Sequence, residues 1–265
     1  MLRERVITAL ILAALVLLVI FLLPHAATMA ALALLVVAAA WEWSAFPRFT
    51  QHSARIFYVA FVAACVAATW WFGVEREEMD RLIQMALLWW VFALVWVAIA
   101  PARVNRTTAA GAGLLVLVPA WLALARLHAA GPQLLLFLIL LVVAADVGAY
   151  FAGRRFGHNK LAPRVSPGKT WEGVLGGLAA AMAVAAIGAC WWFNVRRVAF
   201  LALCLAVVLI SIVGDLTESM FKRHAGLKDS GSVFPGHGGV LDRIDSITAA
   251  APMFLLGLGW MESQP

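Results

Sequence analysis

Residues 132–152 read PQLLLFLILLVVAADVGAYFA, an unbroken apolar run from Leu134 to Ala145, then one acid, Asp146, then small and aromatic residues. About 20 residues of helix cross the hydrocarbon core of a bilayer, and this stretch is long and apolar enough to do so. Inside lipid no water satisfies the peptide groups, so a spanning segment is either a helix or a strand of a closed barrel. Barrel strands would show as weakly alternating segments of about ten residues; this run does not alternate.

Working outward, comparable stretches lie at roughly 7–23, 26–46, 54–73, 82–100, 108–128, 171–193, 198–217 and 245–261. The expected fold class is therefore an all-α polytopic membrane protein with about nine transmembrane helices. Composition agrees, with 64% apolar and 13% charged residues and a mean hydropathy of +0.93, values that exclude an ordinary soluble domain. No linker, low-complexity segment or repeat divides the chain, so 1–265 is expected to be one integral membrane domain. Residues 1–130 form its amino-terminal helices, and 131–265 the carboxyl-terminal helices that carry the polar motifs. Arg3 and Arg5 open the chain like a signal peptide, but no clean small-residue cleavage site follows, so a retained first helix is expected. Cys65, Cys190 and Cys204 fall in apolar stretches at irregular spacing and read as buried hydrophobes rather than a disulfide set or metal site.

Nine helices assign alternate loops to alternate sides. One side then collects fifteen Lys and Arg residues and the other only Arg76, Arg81, Arg126, Arg196 and Arg197. Cytoplasmic loops are enriched in basic residues, so the fifteen-residue side is expected to be cytoplasmic, in the inner or plasma membrane of the cell. Arg48, Arg55, Arg103 and Arg106 there read as anchors to anionic lipid.

Charges in or at the ends of spans are costly and so mark candidate sites. Asp146 is one, with pairing to Arg154 or Arg155 as its equally weighted structural explanation. A second is the stretch Ser166, Pro167, Gly168, Lys169, Thr170, Trp171, Glu172, Gly173. Gly168-Lys169-Thr170 imitates the end of a phosphate-binding P-loop, but the first glycine would fall at Pro163 and no strand is expected before it. The third runs from Asp215 to Asp245. On a helix Asp215, Glu218, Ser219 and Lys222 share one face, as do Asp242 and Asp245 at the next helix start. Two helix ends thus aim carboxylates at one point, which suits a hard divalent cation such as magnesium. Between them Phe234-Pro235-Gly236-His237-Gly238-Gly239 brings backbone N–H groups toward an anion. Lys222, Arg223, Lys228 and Arg243 add positive charge, and the site reads as phosphate binding.

At these positions the chain resembles the phosphatidate cytidylyltransferases, or CDP-diacylglycerol synthases. Ser219, Lys222, Arg223, Lys228, Asp229, Gly231, Pro235, His237, Gly238, Gly239, Asp242, Arg243 and Asp245 match that family's signature in order and spacing. Asp146 to Gly173 resembles its second polar region, with His158 standing where many relatives have lysine. The resemblance implies transfer of CMP from CTP to phosphatidic acid, giving CDP-diacylglycerol and pyrophosphate, with magnesium required and room for a second cation. On that reading Asp215, Asp242 and Asp245 hold metal with Glu218 as helper, and Ser219, Lys222, Arg223, Lys169 and Arg243 bind phosphates. Lys228 and Asp229 contact nucleotide, with Ser166, Gly238 and Gly239 beside it. His237 is either a proton carrier or a hydrogen-bonding element of the glycine turn. The expected partners are CTP, phosphatidic acid and membrane lipid, with no nucleic acid. Gly176 and Gly177 favour close packing within one chain or between two, so a homodimer stays open, or they leave room for a lipid tail. A transporter would place its carboxylates near mid-membrane on broken helices. A CDP-alcohol phosphotransferase would show an aspartate spacing absent here, and a structural scaffold would not need Asp242 and Asp245 beside Lys222 and Arg223.

Overall fold

A computed structural model describes residues 2–74, 76, 78–192, 196–233 and 238–262. Nine α-helices are present among them: α1 Leu2–Phe21, α2 His25–Trp43, α3 His52–Phe72, α4 Glu78–Ile99, α5 Arg106–Ala130, α6 Pro132–Phe156, α7 Trp171–Ile187, α8 Arg197–Ala225 and α9 Leu241–Glu262. Helices α2 to α9 are long and apolar enough to cross a membrane, and α1 adds an apolar stretch at Leu10–Phe21. The protein is an all-α polytopic membrane protein. Its α7 continues into a π-helical turn at Gly188–Trp192.

Helix α5 is the axis of the bundle. Its residues from Val116 to Ala125 are all buried or nearly so, and it packs against α2, α3, α4, α6 and α9. Indole and phenol groups of its neighbours satisfy polar atoms against it: Trp43 Nε1 donates to Ala109 O at 2.8 Å and Tyr58 Oη to Ala110 O at 3.1 Å. An aromatic cluster then ties three helices together. The Phe221 ring lies 5.3 Å from Trp43 of α2 and 5.7 Å from Trp96 of α4; such pairs contribute about 0.5–1.5 kcal/mol each beyond area burial. Phe221 directly precedes Lys222, so this cluster fixes the end of α8.

Polar contacts sort the connections to two ends of the bundle. At one end His128 Nδ1 lies 3.0 Å from His25 Nδ1, and Arg126 donates to Val74 O, Arg76 O and Asp80, gathering the α1–α2, α3–α4 and α5–α6 connections. At the other, Arg48 donates to His224 O and Arg223 Nε to Val165 O, gathering the α2–α3, α6–α7 and α8–α9 connections.

Three features depart from expectation. Of the cysteines Cys204 is buried, but Cys65 is half-buried and Cys190 exposed. The α6–α7 connection contains a short antiparallel hairpin, β1 Lys160–Ala162 and β2 Ser166–Thr170. A strand therefore does precede Pro163, but Gly168-Lys169-Thr170 lies extended within β2, not in a phosphate-cradling loop. Thr170 ends the strand and caps α7, accepting from Gly173 N at 3.1 Å. The last helix begins at Leu241, a turn before the expected 245, because buried carboxylates cap its first amides.

Gly176 and Gly177 serve packing inside the chain. A Cβ on Gly176 would lie 2.2 Å from Ala152 Cβ and one on Gly177 2.6 Å from Ala145 O, so α6 and α7 approach nearly backbone to backbone.

Candidate active site

Helix α8 carries charge on the face where its apolar sequence gives out. Ser219 Oγ donates to Asp215 Oδ1 at 3.3 Å, and Lys222 Nζ lies 2.9 Å from Glu218 Oε1 one turn earlier. Both Glu218 oxygens are buried, with Lys222 as the charge that faces them. The contact is an ion pair under low solvent access, where Coulomb attraction is stronger than in water. Gly226, in the left-handed region at φ 76°, ends the helix, and Leu227 N returns to Lys222 O at 2.8 Å.

Helix α9 answers from the opposite side. Asp242 Oδ1 accepts from Lys222 Nζ at 2.7 Å, while its Oδ2 accepts from Ser230 N at 2.9 Å and Gly239 N at 2.8 Å. The hairpin brings a second lysine, with Lys169 Nζ 2.5 Å from Asp215 Oδ2. Asp146 of α6 faces the same space. Neither Arg154 nor Arg155 pairs with it among the described residues; Arg154 donates to Tyr150 Oη at 3.0 Å instead.

These groups enclose a cavity of about 590 Å³. Its charged lining comprises Asp146, Arg154, Lys169, Asp215, Lys222, Asp229, Asp242, Arg243 and Asp245. Tyr150, Thr170 and Ser246 add polar groups, and Ala145, Ala149, Val174, Gly177, Val208 and Ile212 of α6, α7 and α8 line it with small and apolar ones. A molecule that is a phosphate at one end and a hydrocarbon at the other would meet matching surfaces.

Comparison with known proteins follows the same lines. The sequence profile described as "Cytidylyltransferase family" matches residues 3–260. The chain belongs to the cytidylyltransferase family. A phosphatidate cytidylyltransferase of Pseudomonas aeruginosa is 45% identical over 98% of this chain and 99% of its own length. One of Haemophilus influenzae is 40% identical over 96% and 97%. One of Brucella suis is 50% identical over 46% of this chain and 45% of its own length. This family member is accordingly an enzyme of the nucleotidyltransferase class.

Within the enzyme, the residues expected from sequence fall in different places. Lys169, Asp215, Lys222, Asp229, Asp242, Arg243 and Asp245 line the cavity. Glu218 and Ser219 sit behind it, bracing Lys222 and Asp215. Arg223 is committed elsewhere, donating to Val165 O at 3.3 Å and Leu227 O at 3.2 Å. Lys228 is exposed and Ser166 pairs with Ala162 in the hairpin. Gly238, at φ 80°, and Gly239 form the turn capped by Asp242. His237, with Phe234, Pro235 and Gly236, lies outside the described residues.

Sequence reading missed Glu42. This buried acid of α2 accepts from Ser230 Oγ at 2.8 Å, Val240 N at 2.9 Å and Leu241 N at 2.8 Å. The rule that singled out Asp146, an acid inside an apolar stretch, applies equally to Trp41-Glu42-Trp43.

As to metal, no group of three His, Cys, Asp or Glu side chains stands ready as a ligand set among the described residues, and the cavity lysines pair with Asp215 and Asp242. The residues still fit magnesium, which keeps several waters and is held through one or two carboxylates plus substrate phosphates.

Proposed function

We propose that the enzyme transfers the cytidylyl group of CTP to phosphatidic acid, producing CDP-diacylglycerol and pyrophosphate, at the cytoplasmic surface of the cell membrane. The observation that carries this reading is a single cavity lined both by charged groups of α6, α8, α9 and the hairpin and by apolar groups of α6, α7 and α8. The names borne by the full-length Pseudomonas and Haemophilus relatives agree with it. So does the excess of basic residues in the connections at the cavity end.

A phosphate oxygen of phosphatidic acid forms a bond to the α-phosphorus of CTP while the bond from that phosphorus to the bridging oxygen breaks, and the electron pair leaves with pyrophosphate. Substrate supplies the nucleophile, so the protein's task is alignment and neutralisation. Of the cavity cations, Lys169, Lys222 and Arg243 are suited to hold phosphate oxygens. Each lysine now rests on a carboxylate, a pairing that an arriving phosphate can exchange for its own charge. Asp215, Asp242 through Oδ1, and Asp245 would hold magnesium, with Glu218 acting through Lys222. When bound, the ion offsets phosphate charge. Asp229 lines the cavity mouth and is placed to contact nucleotide, with exposed Lys228 beside it.

The test is direct. Purified protein in detergent is incubated with CTP, phosphatidic acid and magnesium, and pyrophosphate and CDP-diacylglycerol are measured. Equal yields of both products are expected; no nucleotide turnover with intact, folded protein would overturn the reading.

A further inference from the structure

Glu42 belongs to α2 and does not line the cavity, yet its carboxylate grips the segment that builds the cavity wall. It takes Ser230 by the hydroxyl and the start of α9 by two amides, those of Val240 and Leu241. Asp242 takes the same Ser230 by its amide, and Gly239 by its amide, from the other side. The backbone has closed onto Glu42: a Cβ on Gly231 or on Gly239 would lie 2.3 Å from a Glu42 carboxylate oxygen. Charge sense is favourable, since a carboxylate at a helix start complements the macrodipole. The turn after α2 repeats the device with opposite sign at the neighbouring helix, where the Arg48 guanidinium meets His224 O at the end of α8.

The consequence reaches the reacting space through contacts already described. Asp242 holds Lys222, and Lys222 rests on Glu218. Moving Val240 and Leu241 by a few tenths of an ångström therefore moves Asp242, and with it Lys222. We propose that Glu42 is a positioning residue for cytidylyl transfer: from the amino-terminal half it fixes Ser230 and the first turn of α9, and so sets Asp242 and Lys222 in the cavity wall. The inference rests on reading that cavity as the site of transfer. A purely structural anchor would change the amount of folded protein but not turnover per folded molecule.

The full-length enzyme in detergent is compared with Glu42→Gln, Glu42→Asp and Ser230→Ala. The amide of Gln is the same size as the acid but turns an acceptor into a donor facing Val240 or Leu241. Glu42→Gln is expected to lower kcat about 10- to 100-fold, the range seen when groups orienting a site are lost. KM for CTP and for phosphatidic acid stays near that of the unsubstituted enzyme, because neither substrate touches Glu42. Glu42→Asp, which keeps the charge, recovers part of the loss. Hydrogen exchange at the Val240 and Leu241 amides rises in Glu42→Gln while that of buried α5 amides does not. Unchanged kcat per folded molecule in Glu42→Gln overturns the proposal. Should Glu42→Gln fail to fold, Ser230→Ala decides, since it deletes one of three donors: a kcat drop of about fivefold, equivalent to one lost hydrogen bond of about 1 kcal/mol, supports the proposal, and no drop overturns it. If the unsubstituted protein turns over no CTP, the functional reading has failed. Exchange then decides alone, with unaltered protection at Val240 and Leu241 overturning the positioning role.

Discussion

Lys222 sits buried between two acids, Glu218 at 2.9 Å and Asp242 at 2.7 Å, with 10% of its side chain exposed. Removing one member of such a group leaves the others charged and unpaired at a cost of about 3–5 kcal/mol. Lys222→Met is therefore expected to lower thermal stability sharply. Lys222→Met with Glu218→Gln should recover much of that stability in a detergent melting assay while turnover remains lost, separating the fold from the chemistry. Asp245, in no lysine salt bridge among the described residues, tests the metal reading. Asp245→Asn is expected to reduce turnover about 100-fold, the scale of losing one transition-state contact; near-normal turnover at low magnesium would remove it from the ligand set. Much of this was legible, because charges at helical spacing in a greasy chain announce themselves. Glu42 satisfied the same rule and was missed: its partners are backbone amides and a serine far along the chain, and an amide carries no mark in sequence. Arg223 shows the converse: its charge was visible, while the carbonyls of Val165 and Leu227 that hold it were not.

Among the elements, α6 and α7 bear the tightest interface, and the position of Lys169 relative to Asp146 depends on it. Gly148 and Gly176 leave no room for a side chain, with a Cβ on Gly148 2.6 Å from Ala180 Cβ. Gly176→Val should cost about 1–3 kcal/mol by overpacking and lower activity as the cavity walls part. Gly111 of α5 is the control. A Cβ there meets nothing within 4 Å, so Gly111→Ala is expected to leave activity intact and to hold or raise stability by up to about 1 kcal/mol, read from the same melting assay. Helices were legible because their length and apolarity are dictated by the bilayer, not by partners. The hairpin was not, since strands of three and five residues carry no periodicity and exist only by pairing with each other.

The whole molecule has two ends, and its basic residues favour the one with the cavity. In a chain with Cys65, Cys190 and Cys204 replaced by alanine, cysteines introduced at exposed Arg164 and Lys228 should react with an impermeant maleimide from one face of sealed vesicles. One at exposed Ala130 should react only from the other. Labelling of all three from one face would contradict the bundle's polarity. The bonds from Glu42 to Ser230, Val240 and Leu241 also span 188 to 199 positions of sequence. Translation therefore delivers α2 to the membrane long before its donors exist. Until α9 emerges, that acid waits in a half-built bundle without its donors. A chain that ends before residue 241 lacks the Leu241 amide and leaves that acid short of a donor that the finished fold supplies.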